Sequence, residues 1–204
     1  MSHLLGIEPG KLLEDAEKRQ TILLEHLQAL VSIESPSEDK LGVDQAGSLV
    51  AGWCEALGGK IRWHRQKKFG DLLEVRFGAM GKAAKARGEA RRKPVLLLGH
   101  LDTVWPKGTL EKMPFQMSKG RAFGPGVYDM KAGVVMALHA IAMLRERQAQ
   151  TTPVVVLLVS EEEIGSPVSR AVTEKIAREC SAVFVLEPSQ GPHGAYKTAR
   201  NCLA

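Results

Sequence analysis

The chain has no CxxC pair, and its cysteines, Cys54, Cys180 and Cys202, are odd in number and far apart. That excludes a zinc ribbon and a disulfide framework. The first twenty residues contain no apolar core of signal-peptide length. No run approaches the ~18 apolar residues of a membrane span, and there is no internal repeat. These absences set the expectation of a soluble, cytoplasmic protein without a membrane partner.

What is present is an ordinary globular composition in 204 residues, enough for one good core and hence one domain. The net charge of +5 has a local origin. Lys82, Lys85, Arg87, Arg91, Arg92 and Lys93 face the single acid Glu89 between positions 82 and 93. With Gly and Ala between the charges and no aromatic residue, 82–93 reads as a solvated basic surface loop. A stacking platform for single strands would need aromatics there, so nucleic acid is not expected as a partner.

Apolar residues at three- and four-residue steps predict one amphipathic helix over 11–33, stopped by the Ser-Pro-Ser at 35–37. A second helix is expected over 43–57, ended by Gly58 and Gly59. Two strands follow around a turn near Gly70, and 94–102 reads as a short buried strand. Residues 103–126 are Gly/Pro-rich and expected to be irregular, the kind of long loop that carries function. A helix is predicted from Asp129 to about Gln148, a buried strand over 152–160, a helix over 168–179 and a last strand up to Pro188. Continuous apolar strands alternating with helices indicate an α/β fold, a mainly parallel mixed sheet flanked by helices on both faces.

In open α/β sheets, ligands bind beyond the carboxyl ends of the strands, and here those ends carry acids and a histidine. In Gly-His-Leu-Asp-Thr, His100 and Asp102 share one face of their strand. They suit a structural hydrogen bond, or a metal ligand whose tautomer is fixed by a carboxylate. Asp129, behind Gly124, Pro125 and Gly126, suits a helix N-cap or a ligand. Lys131 is expected on the helix surface. Glu161, Glu162 and Glu163 crowd one strand end. Two like charges ~4 Å apart repel by about 4 kcal/mol at an effective dielectric of roughly 20. The triplet therefore either splays into water or answers to a cation, with raised carboxyl pKa values expected where repulsion persists. Glu187 closes a further apolar strand. Four segments thus bring oxygen and imidazole donors, and no thiolate, to one sheet edge, a set that suits zinc, manganese or cobalt.

In this order, LLLGHLDTVWPKGT, FGPGVYDMKAG, SEEEIGS and LEPS resemble the cocatalytic zinc peptidase family. That family includes glutamate carboxypeptidases of the carboxypeptidase G type, acetylornithine deacetylase, succinyl-diaminopimelate desuccinylase and aminoacylase. The stretches after His100 and before Asp129 are most similar to the carboxypeptidase G branch. The resemblance implies two zinc ions (Co2+ or Mn2+ being alternatives), with His100 and Glu187 on one, Glu163 on the other and Asp129 bridging. It implies Glu162 as general base, Asp102 as the residue orienting His100, and Glu161 in support. The implied reaction is hydrolysis of a small peptide or an N-acyl amino acid next to a C-terminal residue.

The family also has a second histidine far downstream and an inserted lid or dimerisation domain. Neither is found in residues 1–204, which are expected to form the N-terminal portion of the catalytic domain, weakly active or inactive alone. A homodimer is expected only with the missing domain. His193 is expected in solvent, His139 packed within its helix, and His3, His26 and His64 stand in no motif.

Overall fold

A computed structural model describes residues 8–78, 92–150 and 152–189. Most of the basic segment 82–93, together with His193 and Cys202, lies outside the described residues. In chain order the elements are α1 (Pro9–Lys18), α2 (Gln20–Val31), α3 (Lys40–Ala56), β1 (Lys60–His64), β2 (Leu72–Phe77), β3 (Val95–His100), α4 (Thr109–Lys112), β4 (Gln116–Ser118) and β5 (Arg121–Phe123). A wide turn, Val127–Lys131, then leads into α5 (Ala132–Glu146), followed by β6 (Val154–Val159), a short turn Glu162–Ile164, α6 (Arg170–Glu179) and β7 (Ala182–Val185).

The main sheet has the order β1-β2-β6-β3-β7. β3 pairs in parallel with both β6 and β7, while β2 is antiparallel to β6 and to β1. Four strands therefore run one way and β2 opposes them. Alternation along β6 separates two cores. Val156 and Leu158 join Leu27, Leu30, Val50 and Leu138 under α2, α3 and α5. Val155, Leu157 and Val159 join Leu96 and Ile176 under α6. Each buried Leu or Val contributes about 1.5–3 kcal/mol of transfer free energy, so these layers hold the strand ends in register. Coverage stops at β7, whose Val183, Phe184 and Val185 are exposed.

Three expectations change. The helix predicted over 11–33 is two helices, interrupted at Arg19. No Gly or Pro marks the break, so periodicity alone runs through it. Arg19 pairs with Glu146, and Asp15 with Arg147, anchoring both pieces to the end of α5. The long loop after Thr103 is partly ordered as α4 and the β4–β5 ribbon. The helix expected from Asp129 begins at Ala132, because Asp129 (φ −118°, ψ 100°) and Met130 are not helical.

Val127–Glu146 is long and apolar enough by composition to cross a membrane. Here Val134, Val135, Leu138 and Ile141 are buried against the sheet and α2, as in the core helix of a layered fold.

Candidate metal centre

β3 ends at His100, and its imidazole is 1% exposed. Nδ1 lies 2.9 Å from the backbone oxygen of Asp102 and 3.3 Å from its Oδ1. Both are acceptors, so Nδ1 carries a proton and Nε2 faces outward. Nε2 lies 3.2 Å from Asp129 Oδ1 and 3.2 Å from Glu187 Oε1. One donor atom each from His100, Asp129 and Glu187 falls within 4.8 Å of the others.

Asp129 reaches this point because it is not helical. Gly126, at φ +68°, turns the chain in a left-handed conformation, and an added Cβ there would meet Thr103 Cγ2 at 2.6 Å. The Lys131 N–H donates to the Gly126 carbonyl at 2.9 Å, closing the turn. The N-cap alternative for Asp129 is thereby excluded; the helix starts three residues later. Tyr128 donates to the backbone oxygen of Ser189, linking this turn to the segment after Glu187.

The glutamate triplet separates by environment. Glu161 is fully buried. One carboxylate oxygen accepts from the N–H and hydroxyl of Ser160, the other from the N–H groups of Val168 and Ser169. It folds the chain between β6 and α6 and does not face the His100 centre. Glu162 and Glu163 project to the half-exposed rim, and their N–H groups both donate to the Asp102 carboxylate at 3.1 Å. Glu162 Oε2 lies 3.9 Å from His100 Nε2. Glu163 lies outside the three-residue donor group of His100, Asp129 and Glu187.

Electrostatics follow from this crowding. Burial works against a charged His100, but hydrogen bonds and charges from Asp102 and Glu187 reverse that and push it up to about 11. Burial also works to raise Asp102, and its hydrogen bonds from His100 and Ser37 outweigh that and lower it. The His100 hydrogen bond lowers Glu187. Burial and the charge of Glu187 raise Asp129. Glu162 is raised by burial and the charges of Glu187, Asp102 and Asp129, against His100; Glu163 is raised by burial and the charge of Asp129. Asp129, Glu162 and Glu163 thus show the raised values expected where carboxylates crowd together.

The donor chemistry fits a divalent metal. Two ligands each ~2.1 Å from a tetrahedral ion stand about 3.4 Å apart, close to the 3.2 Å between His100 Nε2 and either carboxylate. The acceptors at Nδ1 fix the ligand-ready tautomer.

The profile of peptidase family M20/M25/M40 matches residues 96–198, just over half of the chain, a span that includes His100, Asp102, Asp129, Glu162, Glu163 and Glu187. The chain belongs to this family. Carboxypeptidase G2 of Pseudomonas sp. strain RS-16 is 34% identical over 179 residues, 87% of this chain and 41% of that protein. Human carnosine dipeptidase 1 superposes with a TM-score of 0.70 at 17% identity, over 86% of this chain and 40% of that one. A Bacillus subtilis dinuclear metal-binding peptidase of the M20 family superposes with a TM-score of 0.53 at 16% identity, over 83% and 43% respectively. At such identities the structural likeness speaks for the fold. The chain spans about two fifths of the length of these relatives.

Two residues escape a reading of the sequence. Lys131, expected on a helix surface, is 1% exposed and donates to the carbonyls of Leu30 at 3.2 Å and Ile33 at 2.7 Å. Burial pulls its pKa down to about 8. Ser37, read only as part of a helix stop, is buried and donates to Asp102 Oδ2 at 2.6 Å. A serine beside a proline carries no signal of so distant a partner.

Proposed function

We propose that the chain carries the catalytic half-site of a metal-dependent hydrolase that cleaves a peptide or amide bond next to a C-terminal amino acid, glutamate being the leading candidate. The observation that carries this reading is the convergence of His100, Asp129 and Glu187 on one point, with Glu162 at its rim. Family membership and the 34% identity to carboxypeptidase G2 support it. His100, Asp129 and Glu187 would hold one divalent ion, zinc first among the choices, and Glu163 with Asp129 would serve a second. A metal held there would supply Lewis acidity, polarising an amide carbonyl and lowering the pKa of a bound water.

The chain's own residues do the rest. Asp102 holds His100 in the tautomer whose Nε2 faces the site. The same carboxylate anchors the amides of Glu162 and Glu163, so the turn that carries the base is fixed to the strand that carries the imidazole. Glu162 accepts a proton from water and returns it to the leaving nitrogen. An N-acyl-amino-acid deacylase is the second reading, because nothing in this set of residues distinguishes an acyl group from a peptide on the amino side.

The test is hydrolysis of dipeptides with C-terminal glutamate and of N-acetyl amino acids, by protein loaded with Zn2+ or Co2+. Glutamate release that falls at least about 100-fold in Glu162→Gln, with metal content unchanged, supports the assignment. Full activity in that variant removes Glu162 as the base. Metal binding without turnover of either substrate class favours the remaining reading, a metal-binding chain that is catalytically dead by itself.

A further inference from the structure

The connection between α2 and α3 does more than end a helix. Within five residues it touches three segments of the centre. The Ile33 carbonyl accepts the buried ammonium of Lys131, two residues from Asp129. Glu34 accepts the N–H groups of Gly108 and Leu110, both at 2.8 Å, in the loop that follows His100 and Asp102. Ser35 donates its hydroxyl to the Leu101 carbonyl at 2.7 Å and accepts the Thr103 N–H at 2.9 Å. Ser37 donates to Asp102.

The last contact differs in kind from the others. The Asp102 side chain has no exposed surface. A carboxylate has about four lone-pair sites, and here four groups stand at them: three hydrogen bonds, from the Glu162 N–H to Oδ1 and from Ser37 Oγ and the Glu163 N–H to Oδ2, and His100 Nδ1, which lies 3.3 Å from Oδ1 while it donates to the Asp102 backbone oxygen. His100 closes β3, and the glutamate amides follow β6. Ser37 supplies the one donor among these four that comes from outside the two strand ends, and at 2.6 Å the shortest. Without the Ser37 hydroxyl, Oδ2 would keep only the longer hydrogen bond from the Glu163 N–H.

We propose that Ser37 is a positioning residue for the metal centre: its hydroxyl locks the Asp102 carboxylate, which in turn sets the His100 imidazole and the Glu162–Glu163 turn. The inference rests on the hydrolase reading for its purpose, though not for its test. Ser35 provides the internal control, because it ties the same loop to the same strand without touching a carboxylate.

The experiment compares Ser37→Ala and Ser35→Ala in the full chain by three measurements. These are urea stability, hydrogen-exchange protection of the Glu162 and Glu163 amides without metal, and Co2+ affinity. Ser37→Ala is expected to lower protection of those two amides and Co2+ affinity by about 10-fold each, the usual effect of losing a hydrogen-bond partner behind a metal ligand. Ser35→Ala is expected to leave both within about 2-fold at a similar loss of stability. Should Ser37→Ala fail to fold, Ser37→Cys keeps the shape with a much weaker donor, and the same losses are expected. Unchanged amide protection in the Ser37 variants overturns the proposal. So does a Ser35→Ala variant that reproduces the losses in step with its stability. Wild-type protein that binds no Co2+ defeats the hydrolase reading instead, while the amide measurement still decides the role of Ser37.

Discussion

His26 Nδ1 and His139 Nε2 lie 3.0 Å apart, joining α2 to α5 on the side of the fold away from the metal centre. His26 stacks on Trp53 of α3 with 4.5 Å between ring centroids. His139 is buried, and its Nδ1 has no hydrogen-bond partner among the described residues. The charged groups lining the same cavity are Arg19, on the α1–α2 junction, and Glu146 at the end of α5. Burial, with the charges of His26 and Arg19, holds His139 below the ordinary histidine range. The folded chain therefore binds a proton at His139 less readily than the unfolded one. This stabilisation is complete above the ordinary value of 6.5 and is lost as pH falls through the depressed folded value. His100 has the opposite sign, being raised, so the variant must be compared with wild type at each pH. Urea midpoints between pH 5 and 8 are expected to fall more steeply on acidification in wild type than in His139→Leu. Parallel curves would sink the assignment.

The metal centre leads to a stoichiometry. His100 Nε2 stands 3.2 Å from Asp129 Oδ1 and from Glu187 Oε1, while Glu163 is outside that group. One Zn2+ or Co2+ per chain is expected by native mass spectrometry after dialysis. Losing a ligand in His100→Ala or Glu187→Gln should cost at least about 10-fold in affinity, as even a partner behind a ligand does. Two tightly held ions would contradict this arrangement.

Much of this could be read from the residues, and the failures have physical reasons. β3 and β6 are continuous apolar runs paired in parallel, β6 buried on both faces and β3 half-buried beside the exposed β7, which is the pattern such strands require. That His100, Asp129 and Glu187 converge is legible because chemistry-bearing residues at several strand ends coincide less often by chance than one does. Asp129 was misread as a helix start because a turn closed through the Gly126 carbonyl leaves the same Gly-then-helix trace as an N-cap. Lys131 was misread because an amphipathic pattern assigns lysine to water and cannot foresee two carbonyls waiting at the end of α2. Arg19, at the break, pairs with Glu146 of α5, a partner more than a hundred residues away in sequence that periodicity cannot register.

Lys131 offers a stability test of its own. Its buried ammonium donates to the Leu30 and Ile33 carbonyls where α2 ends, with the charge of Glu34 nearby. Lys131→Met keeps the length of the side chain but leaves both acceptors without this donor. A buried acceptor left unpaired costs about 1–3 kcal/mol, while removing a buried charge offsets part of that. Net destabilisation of roughly 1–2 kcal/mol is therefore expected in urea unfolding. A variant as stable as wild type would show that the carbonyls find other partners.

Glu161 and Glu162 are adjacent in sequence and should behave as opposites. Glu161 accepts from four donors, two of them on Ser160, in a fully buried position, so both carboxylate oxygens are needed as acceptors. In Glu161→Gln one oxygen becomes an NH2 group, which must face either the Ser160 pair or the Val168 and Ser169 amides, donor against donor. The hydroxyl of Ser160 can rotate to become an acceptor and backbone N–H groups cannot, so the amide should turn its nitrogen toward Ser160 and lose about 1–3 kcal/mol. Co2+ affinity should stay within about 2-fold, since this carboxylate supports the turn without facing the centre. Glu162→Gln should do the reverse in part, leaving stability within about 0.5 kcal/mol because its side chain is half-exposed and only its backbone is anchored. Denaturation and Co2+ titration of the two variants side by side would separate them. A Glu161→Gln variant of normal stability but weakened metal binding would mean that the buried acid belongs to the site after all.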